Sequence, residues 1–521
     1  MTATEQEKYI LSIDVGTTTI RAHVYNTKAE VVGQSDQALE LHCPSQGIIE
    51  IIPEVLWNQF VTTIKEAIQD SGVAPSDITA LGLSTQRATF TTWNKKTGKS
   101  YHNFICWNDT RSVKRADSIN NSWSFMGLRT GATLLYGLSC GSRRWETASV
   151  FKFTSQHVTM RLGWVIDNIP ELKKDIAKDL VHYGAVDTWL VWKLTKGKVH
   201  ATDLSNFSTT GMYDVFKKGY NNIHMAYLGL PTNILPEIKD TNGDYGIVDP
   251  ELFGASIPIR AVIADQQAAM FGQCCFNEGD IKLTMGTGSF LVINTGPRPT
   301  VPYDGAYPLV GWQIGNEMTY IMECNDADTG TVVEWGVKMG FYDDPSQSAP
   351  VAESVANSGG VCFVPAFQGL QGPINNGGAC ASLLGVTVDT KPGHIVRSML
   401  ESLAFRVVQL HKLGLDKCRT VVKQIICIDG GVSRNSFICN LISGLLECPV
   451  ERPRNLQMSC LGAAFMAGLT VGIWKDREEI KNLRTIDTTF HSESLKEDYR
   501  VTIKAWEKAV DRSLDWYSES S

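Results

Sequence analysis

The chain has 521 residues, enough for two large domains or about three to five small ones. Apolar residues make up 43% and charged residues 20%, which excludes a disordered polymer, and 45 Gly with 19 Pro exclude a collagen-like or low-complexity chain. The net charge of −7 argues against general binding of nucleic acid or anionic membrane, so an anionic ligand needs local backbone amides, a helix N-terminus or a metal.

In chain order, the first signal is a hairpin. Residues 9–13 form an apolar run, Asp14-Val15-Gly16-Thr17-Thr18-Thr19 is a small polar turn, and Ile20, Ala22 and Val24 alternate with Arg21, His23 and Tyr25 as a return strand. Pro53 opens an amphipathic helix with Leu56, Phe60, Ile64 and Ile68 at i+4 spacing, and Gly72 closes it. A strand over 78–83 runs into Ser84-Thr85-Gln86-Arg87. Strands alternating with helices predict an α/β architecture. The Ser- and Gly-rich segment 120–154 lacks a helical period and reads as an insertion or loop.

A second hairpin repeats the first at an offset of 270 residues. Strand 281–285, Gly286-Thr287-Gly288-Ser289 and strand 290–293 superimpose on the first strand, its turn and its return, predicting two related α/β domains facing a cleft. Segment 361–388 is long and uncharged, but its prolines, asparagines and glycines predict loops and short strands. A third unit is strand 424–428, the turn Asp429-Gly430-Gly431 and a helix over 435–446, a geometry that presents backbone amides or simply turns the chain. The apolar stretch 456–474 is long enough to cross a bilayer, yet Gln457, Ser459 and its glycines favour a buried core helix. Thirteen scattered cysteines without zinc spacing predict a reduced intracellular protein, and the polar residues 1–8 do not resemble a signal peptide.

Asp265-Gln266-Gln267 follows an apolar strand, 259–264, and precedes a helix start. A strand-end acid of an α/β sheet faces the crevice where ligands bind, and Asp is also a common helix N-cap. Two Gly-Thr hairpins, a glycine turn before a helix, and the strand-end acids Asp14 and Asp265 supply phosphate donors, a metal-binding oxygen and a base, which phosphoryl transfer requires. There is no P-loop and no protein-kinase motif set.

These residues resemble the FGGY carbohydrate kinases, and within them the glycerol kinases in their divergent animal branch. The segment from Asp14 to Ala22 resembles the family's first phosphate loop, and Gly286-Thr287-Gly288 its second. The stretches from Gly184 to Leu190 and from Thr202 to Asn206 resemble glycerol kinases. So do Asp265-Gln266-Gln267-Ala268-Ala269, residues 381–401 with Gly385, His394 and Glu401, and Asp429-Gly430-Gly431 with Asn435.

The resemblance implies two actin-like (ribonuclease H-like) ATPase domains with a ligand cleft between them: an N-terminal polyol- and phosphate-binding domain, 8–256, and a C-terminal ATP-binding domain, 257–475, followed by a helical extension, 476–521. It implies that Thr17, Thr18, Thr287, Gly330, Gly431 and Asn435 bind ATP, that Arg87, Trp107, Asp265 and Gln266 bind glycerol, and that Asp265 is the general base. Asp14 and Asp265 would attend Mg²⁺, and Phe290 and Glu334 align with ligand-side positions. A cytoplasmic enzyme with a polyol substrate, no nucleic acid partner, no transmembrane segment and room for homo-oligomerisation follows.

Other readings of the same residues stand beside these: Trp107 as core, Arg87 as a surface ion pair, the threonines as turn residues, and the glycines as backbone requirements. Two positions depart from the family. Glycerol kinases carry Gln-Arg-Glu where this chain has Gln86-Arg87-Ala88, and a substrate-side Tyr falls at Gln156. The loop before Ile257 lacks the Gly- and Lys-rich sequence that binds a sugar bisphosphate in bacterial members, so regulation of that kind is not expected. Ala88 and Gln156 leave open a kinase for another small polyol or sugar, and a nucleotide-binding regulatory protein.

Overall fold

The structure is a computed structural model and describes residues 7–301, 304–418 and 424–517. It divides into two compact units: one of 1–274, 309–320 and 458–483, the other of 275–308, 321–457 and 484–521. The chain first passes from one unit to the other at 274/275.

The first unit is built on a five-stranded sheet in the order Ile259–Ala264, Ile78–Thr85, Tyr9–Val15, Thr19–Tyr25, Val31–Ala38. The first three strands run parallel, and the last three form an antiparallel meander. Helix Pro53–Ser71 buries Leu56, Phe60, Ile64 and Ile68 with Ile13 and Leu83 of the sheet. It stops at Gly72, whose φ of 63° is left-handed backbone that glycine adopts without strain. Helix Met458–Thr470 is the buried core helix expected of the stretch 456–474. Ser12 Oγ donates to its Cys460 carbonyl at 2.6 Å. A Cβ on Gly462 would stand 1.8 Å from the Ala268 carbonyl oxygen, so only glycine lets this helix meet helix Asp265–Gly272 backbone to backbone. Among the described residues no helix is long and apolar enough to cross a membrane.

Segment 120–154 corrects the sequence reading. It holds two helices, Trp123–Leu138 and Arg143–Val150. Ser122 caps the first by accepting the Phe125 N–H at 3.3 Å. Phe125 and Ala132, two turns apart, are buried, while Trp123, Leu134 and Leu138 are exposed. Apolar residues on both faces erase the period that would announce a helix.

The second unit is built on strands of a sheet in the order Ser289–Gly296, Ile281–Met285, Ile426–Asp429, Val450–Pro453, Ile486–Phe490. Helix Pro392–Cys418 contributes Val396, Met399, Leu400, Leu403 and Val407 to a core shared with Leu283, Leu291 and Ile293. Segment 361–388 contains the short strands Cys362–Val364 and Ser382–Leu384, as its composition predicts. The segment 476–521 is not wholly helical. Strand Ile486–Phe490 pairs antiparallel with Val450–Pro453 before helix Lys496–Ser513. Buried Trp506 of that helix donates Nε1–H to the Phe363 carbonyl at 2.8 Å.

The repeat read from the sequence is present in the topology. In each unit an antiparallel hairpin, Tyr9–Val15 with Thr19–Tyr25 and Ile281–Met285 with Ser289–Gly296, has a parallel strand on the other side of its first strand.

Candidate active site

In the first unit Asp14 and Asp265 are brought to the same end of the sheet. Asp14 is the penultimate residue of Tyr9–Val15, and Asp265 directly follows Ile259–Ala264. Ile78–Thr85 lies between those strands and pairs Asp14 with Ser84 and Ala264 with Thr85. This is the carboxyl end of three parallel strands, where α/β sheets bind ligands.

Asp14 is 6% exposed. Its Oδ1 accepts the Ser84 hydroxyl at 2.7 Å, and its Oδ2 is 3.9 Å from Arg21. Burial pushes its carboxyl up to about 6; the Ser84 hydrogen bond opposes this, the negative charge of Asp265 adds to it, and Arg21 opposes it. Arg87, two residues past the central strand, places Nε 3.3 Å from Asp265 Oδ1. The same Oδ1 accepts the Gln266 N–H at 2.7 Å, and the Gln266 side chain is buried. Asp265 is the first residue of its helix rather than the cap, which is Ala264.

The Gly16 turn is fixed by a ring of hydrogen bonds. Gln86 donates its backbone N–H to Val15 O at 2.7 Å and Nε2–H to Gly16 O at 2.8 Å. Thr89 Oγ1 donates to Gln86 Oε1 at 2.8 Å and accepts the Trp107 backbone N–H at 3.1 Å. The Trp107 indole then donates to Thr17 Oγ1 at 3.1 Å, closing the ring. Trp107 is therefore not plain core: its indole holds the threonine turn. Thr17 is half-buried and Thr18 exposed. Sequence reasoning missed the parts of Gln86 and Thr89; the signal was a polar pair flanking Arg87 directly after a strand.

A second support lies under Asp265. Buried Asp203 accepts the backbone N–H groups of Ser205 and Asn206, each at 2.9 Å. Ser205 Oγ accepts the Ala264 N–H at 2.8 Å, and the Thr85 hydroxyl donates to Asn206 Oδ1 at 3.3 Å. The stretch Thr202 to Asn206 thus ties the last residues of both strands that precede Arg87 and Asp265.

Two substrate-side positions differ in kind. Ala88 is in left-handed backbone, φ 59°, with its methyl buried in an apolar cluster with Phe90 and Tyr183. Gln156 is exposed, and its carbonyl accepts buried Arg161 Nη2 at 2.7 Å.

In the second unit, the Gly286-Thr287-Gly288 turn and Gly330 come together. Gly330 opens helix Gly330–Lys338 and donates its N–H to Gly286 O and Thr287 O at 3.0 and 2.9 Å. A Cβ there would lie 2.7 Å from Gly286 O. Thr287 is exposed. The parallel neighbour Ile426–Asp429 ends at Gly430, whose φ is 87° and whose Cβ would strike Met285 O at 2.5 Å. Gly431 is exposed, and a Cβ on it would meet nothing within 4 Å. Asn435 caps helix Ser436–Leu446 by accepting the Ile438 N–H at 3.1 Å and donates Nδ2–H to Ser348 Oγ at 3.1 Å. Both ends of its amide thus already have protein partners. Phe290 is half-buried and Glu334 exposed.

Matches to known proteins agree with this geometry. Residues 9–272 match the N-terminal domain and residues 281–471 the C-terminal domain of the FGGY family of carbohydrate kinases. Glycerol kinase 5 of Homo sapiens is 45% identical over 98% of this chain and 96% of its own. Glycerol kinase 2 of Thermotoga maritima is 34% identical over 98% and 99%. The crystal structure of Plasmodium falciparum glycerol kinase with ADP superposes with a TM-score of 0.86 at 29% identity, covering 98% of both chains. A gluconate kinase from Lactobacillus acidophilus, at 17% identity and a TM-score of 0.82, shares the fold. With actin-like domain architecture and both family domains matched in order, the chain belongs to the FGGY family of carbohydrate kinases.

Proposed function

We propose that the protein transfers the terminal phosphoryl group of ATP to glycerol, giving sn-glycerol 3-phosphate. The observation that carries this reading is the Arg87–Asp265 pair beside Asp14, at the ends of adjacent parallel strands. Asp265 accepts the proton of the attacking hydroxyl. Arg87, held at 3.3 Å, orients that carboxylate and donates to a substrate hydroxyl, and Gln266 binds the polyol beside it. Trp107 keeps the Thr17 turn in place, while the Thr17, Thr18 and Thr287 turns, Gly330 and Gly431 receive the nucleotide. Asn435 acts on the nucleotide by fixing the turn after Gly431.

Mg²⁺ supplies charge neutralisation on the transferring phosphates. The described residues contain no group of three metal-ligating side chains, and two carboxylates completed by phosphate oxygens and water suit this ion. Asp14, with Asp265 close enough to perturb it, fits that donor set.

Ala88 favours a second reading, a kinase for a different small polyol. A coupled ADP-release assay on purified protein with a panel of polyols decides between them. Efficient turnover of glycerol supports the first reading, a preference for another polyol the second, and no turnover with any polyol overturns both.

A further inference from the structure

Two thiols of the second unit are brought together by its sheet. Strand Ile426–Asp429 lies between Ile281–Met285 and Val450–Pro453 and runs parallel to both, with Cys427 directly opposite Lys282 on one side and Glu451 on the other. Residues opposite each other in neighbouring strands point to the same face, so Lys282, Cys427 and Glu451 share one face of the sheet. Cys275 comes from the segment that leads into Ile281–Met285. Its Sγ lies 3.8 Å from the Ile281 carbonyl, and its own carbonyl accepts Asn294 Nδ2–H at 3.1 Å. From there the Cys275 thiol donates a hydrogen bond to the Cys427 sulfur. Arg484 closes the group: its Nη1 bonds Glu451 Oε2 at 2.9 Å, and its charge acts on both thiols.

The two thiols are not equivalent. Cys275 is 3% exposed, and the hydrogen bond it donates and its burial both push its thiol up. Cys427 is half-buried, and accepting that bond pulls its thiol below the ordinary thiol value. Burial opposes this shift, Arg484 adds to it, and Glu451 and Asp280 oppose it. A cysteine that only fills space in a core is inert. A partly exposed thiol of lowered pKa, beside a cation and touching a second thiol, is instead the environment of an oxidant-sensitive cysteine with its resolving partner.

We propose that Cys427 and Cys275 are a peroxide-reactive pair that closes to a reversible disulfide, with Cys427 attacking the oxidant and Cys275 resolving. The Cys427 sulfur attacks one oxygen of hydrogen peroxide, the O–O bond breaks, and the thiol proton leaves with the other oxygen as water. The sulfur gives up two electrons and becomes a sulfenic acid. The Cys275 sulfur then attacks the Cys427 sulfur. The S–S bond forms as the S–O bond breaks, and the Cys275 proton leaves with the hydroxyl as a second water. A thiol reductant reverses the bond. The strand that carries Cys427 ends at Asp429, whose carboxylate accepts the Thr284 hydroxyl, and runs on into the Gly430-Gly431 turn. The disulfide thus ties the strand that holds this turn to the residue at which the chain enters the second unit.

The test is peptide mass spectrometry on the full chain after graded hydrogen peroxide, with remaining thiols blocked by N-ethylmaleimide. This readout does not depend on the kinase reading. The exposed thiols Cys43 and Cys140 serve as internal standards. A peptide linked through Cys275 and Cys427 should appear at a dose about tenfold below the one that oxidises the standards, and dithiothreitol should remove it. In Cys275→Ala the reaction should stop at a sulfenic acid on Cys427, trapped by dimedone. In Cys427→Ala, Cys275 should stay reduced at the same dose. Absence of the linked peptide at doses that oxidise Cys43 and Cys140 overturns the proposal in the wild-type protein alone, whatever the variants do. A dimedone adduct on Cys275 in Cys427→Ala overturns the assigned roles.

Discussion

Arg87 Nε stands 3.3 Å from Asp265 Oδ1, and the two residues reach each other from the ends of neighbouring parallel strands. The guanidinium aims that carboxylate, as a proton acceptor for an attacking hydroxyl requires. Asp265→Asn should leave nucleotide binding intact and lower turnover by about a hundredfold or more, the scale of general-base assistance. ADP release, set beside nucleotide affinity by calorimetry, measures both. Near-normal turnover would remove Asp265 from the chemistry.

Asp14 gives a stability prediction whose sign follows from its raised carboxyl pKa. The native state holds the proton up to about 6, whereas the unfolded chain releases it near the ordinary carboxylate value of 3.8. Between those values the native state binds more protons, so this group lowers stability as pH rises and the deficit is complete above about 6. Asp14→Asn removes the charge and should raise the melting temperature of the metal-free protein at pH 8. The gain should shrink towards nothing below about pH 4. The ceiling is about 3 kcal/mol, less whatever the Ser84 hydrogen bond loses. Melts at the two pH values test it, and a variant less stable at pH 8 than at pH 4, relative to wild type, contradicts the assigned direction.

The two glycines after strand Ile426–Asp429 should behave differently. Gly430 has left-handed backbone, and a Cβ there would clash with Met285 O, so Gly430→Val should destabilise the fold. A Cβ on Gly431 points into open space, so Gly431→Val should fold normally by circular dichroism while weakening ATP binding. Calorimetry showing wild-type affinity in folded Gly431→Val would mean that this turn does not line the nucleotide site.

Much of this was legible because it is local. The hairpins, the Pro53–Ser71 helix and the strand-end position of Asp265 follow from period and turn residues. The 270-residue repeat even survives at side-chain level with its partners exchanged. Asp14 accepts from Ser84 on the parallel strand, whereas its counterpart Thr284 donates to Asp429 on the parallel strand. What the sequence hid is non-local. Trp107 reaches Thr17 across 90 positions, and Ser205 reaches Ala264 across 59. Helix Trp123–Leu138 was illegible for another reason: its exposed Trp123, Leu134 and Leu138 break the rule that apolar residues mark one buried face.

Ala88 decides how far the glycerol assignment extends. The residue sits directly after Arg87 in left-handed backbone, with its methyl 8% exposed, where glycerol kinases carry a glutamate. A hydrogen bond to a charged group contributes about 1.5–3 kcal/mol, or roughly 10- to 150-fold in affinity. Ala88→Glu should therefore lower the KM for glycerol by about tenfold. The catalytic rate should change less, because a contact made equally in the ground and transition states does not speed the chemical step. The left-handed backbone strains Ala and Glu alike, so the comparison isolates the carboxylate. The apolar cluster that holds the Ala88 methyl opposes a buried charge, which holds the expected gain to the low end of the range. ADP release over a glycerol titration gives both constants. Suppose instead that KM is unchanged or rises, while the wild type phosphorylates another polyol efficiently. Ala88 is then a specificity change rather than a lost contact, and the kinase assignment stands with a different substrate.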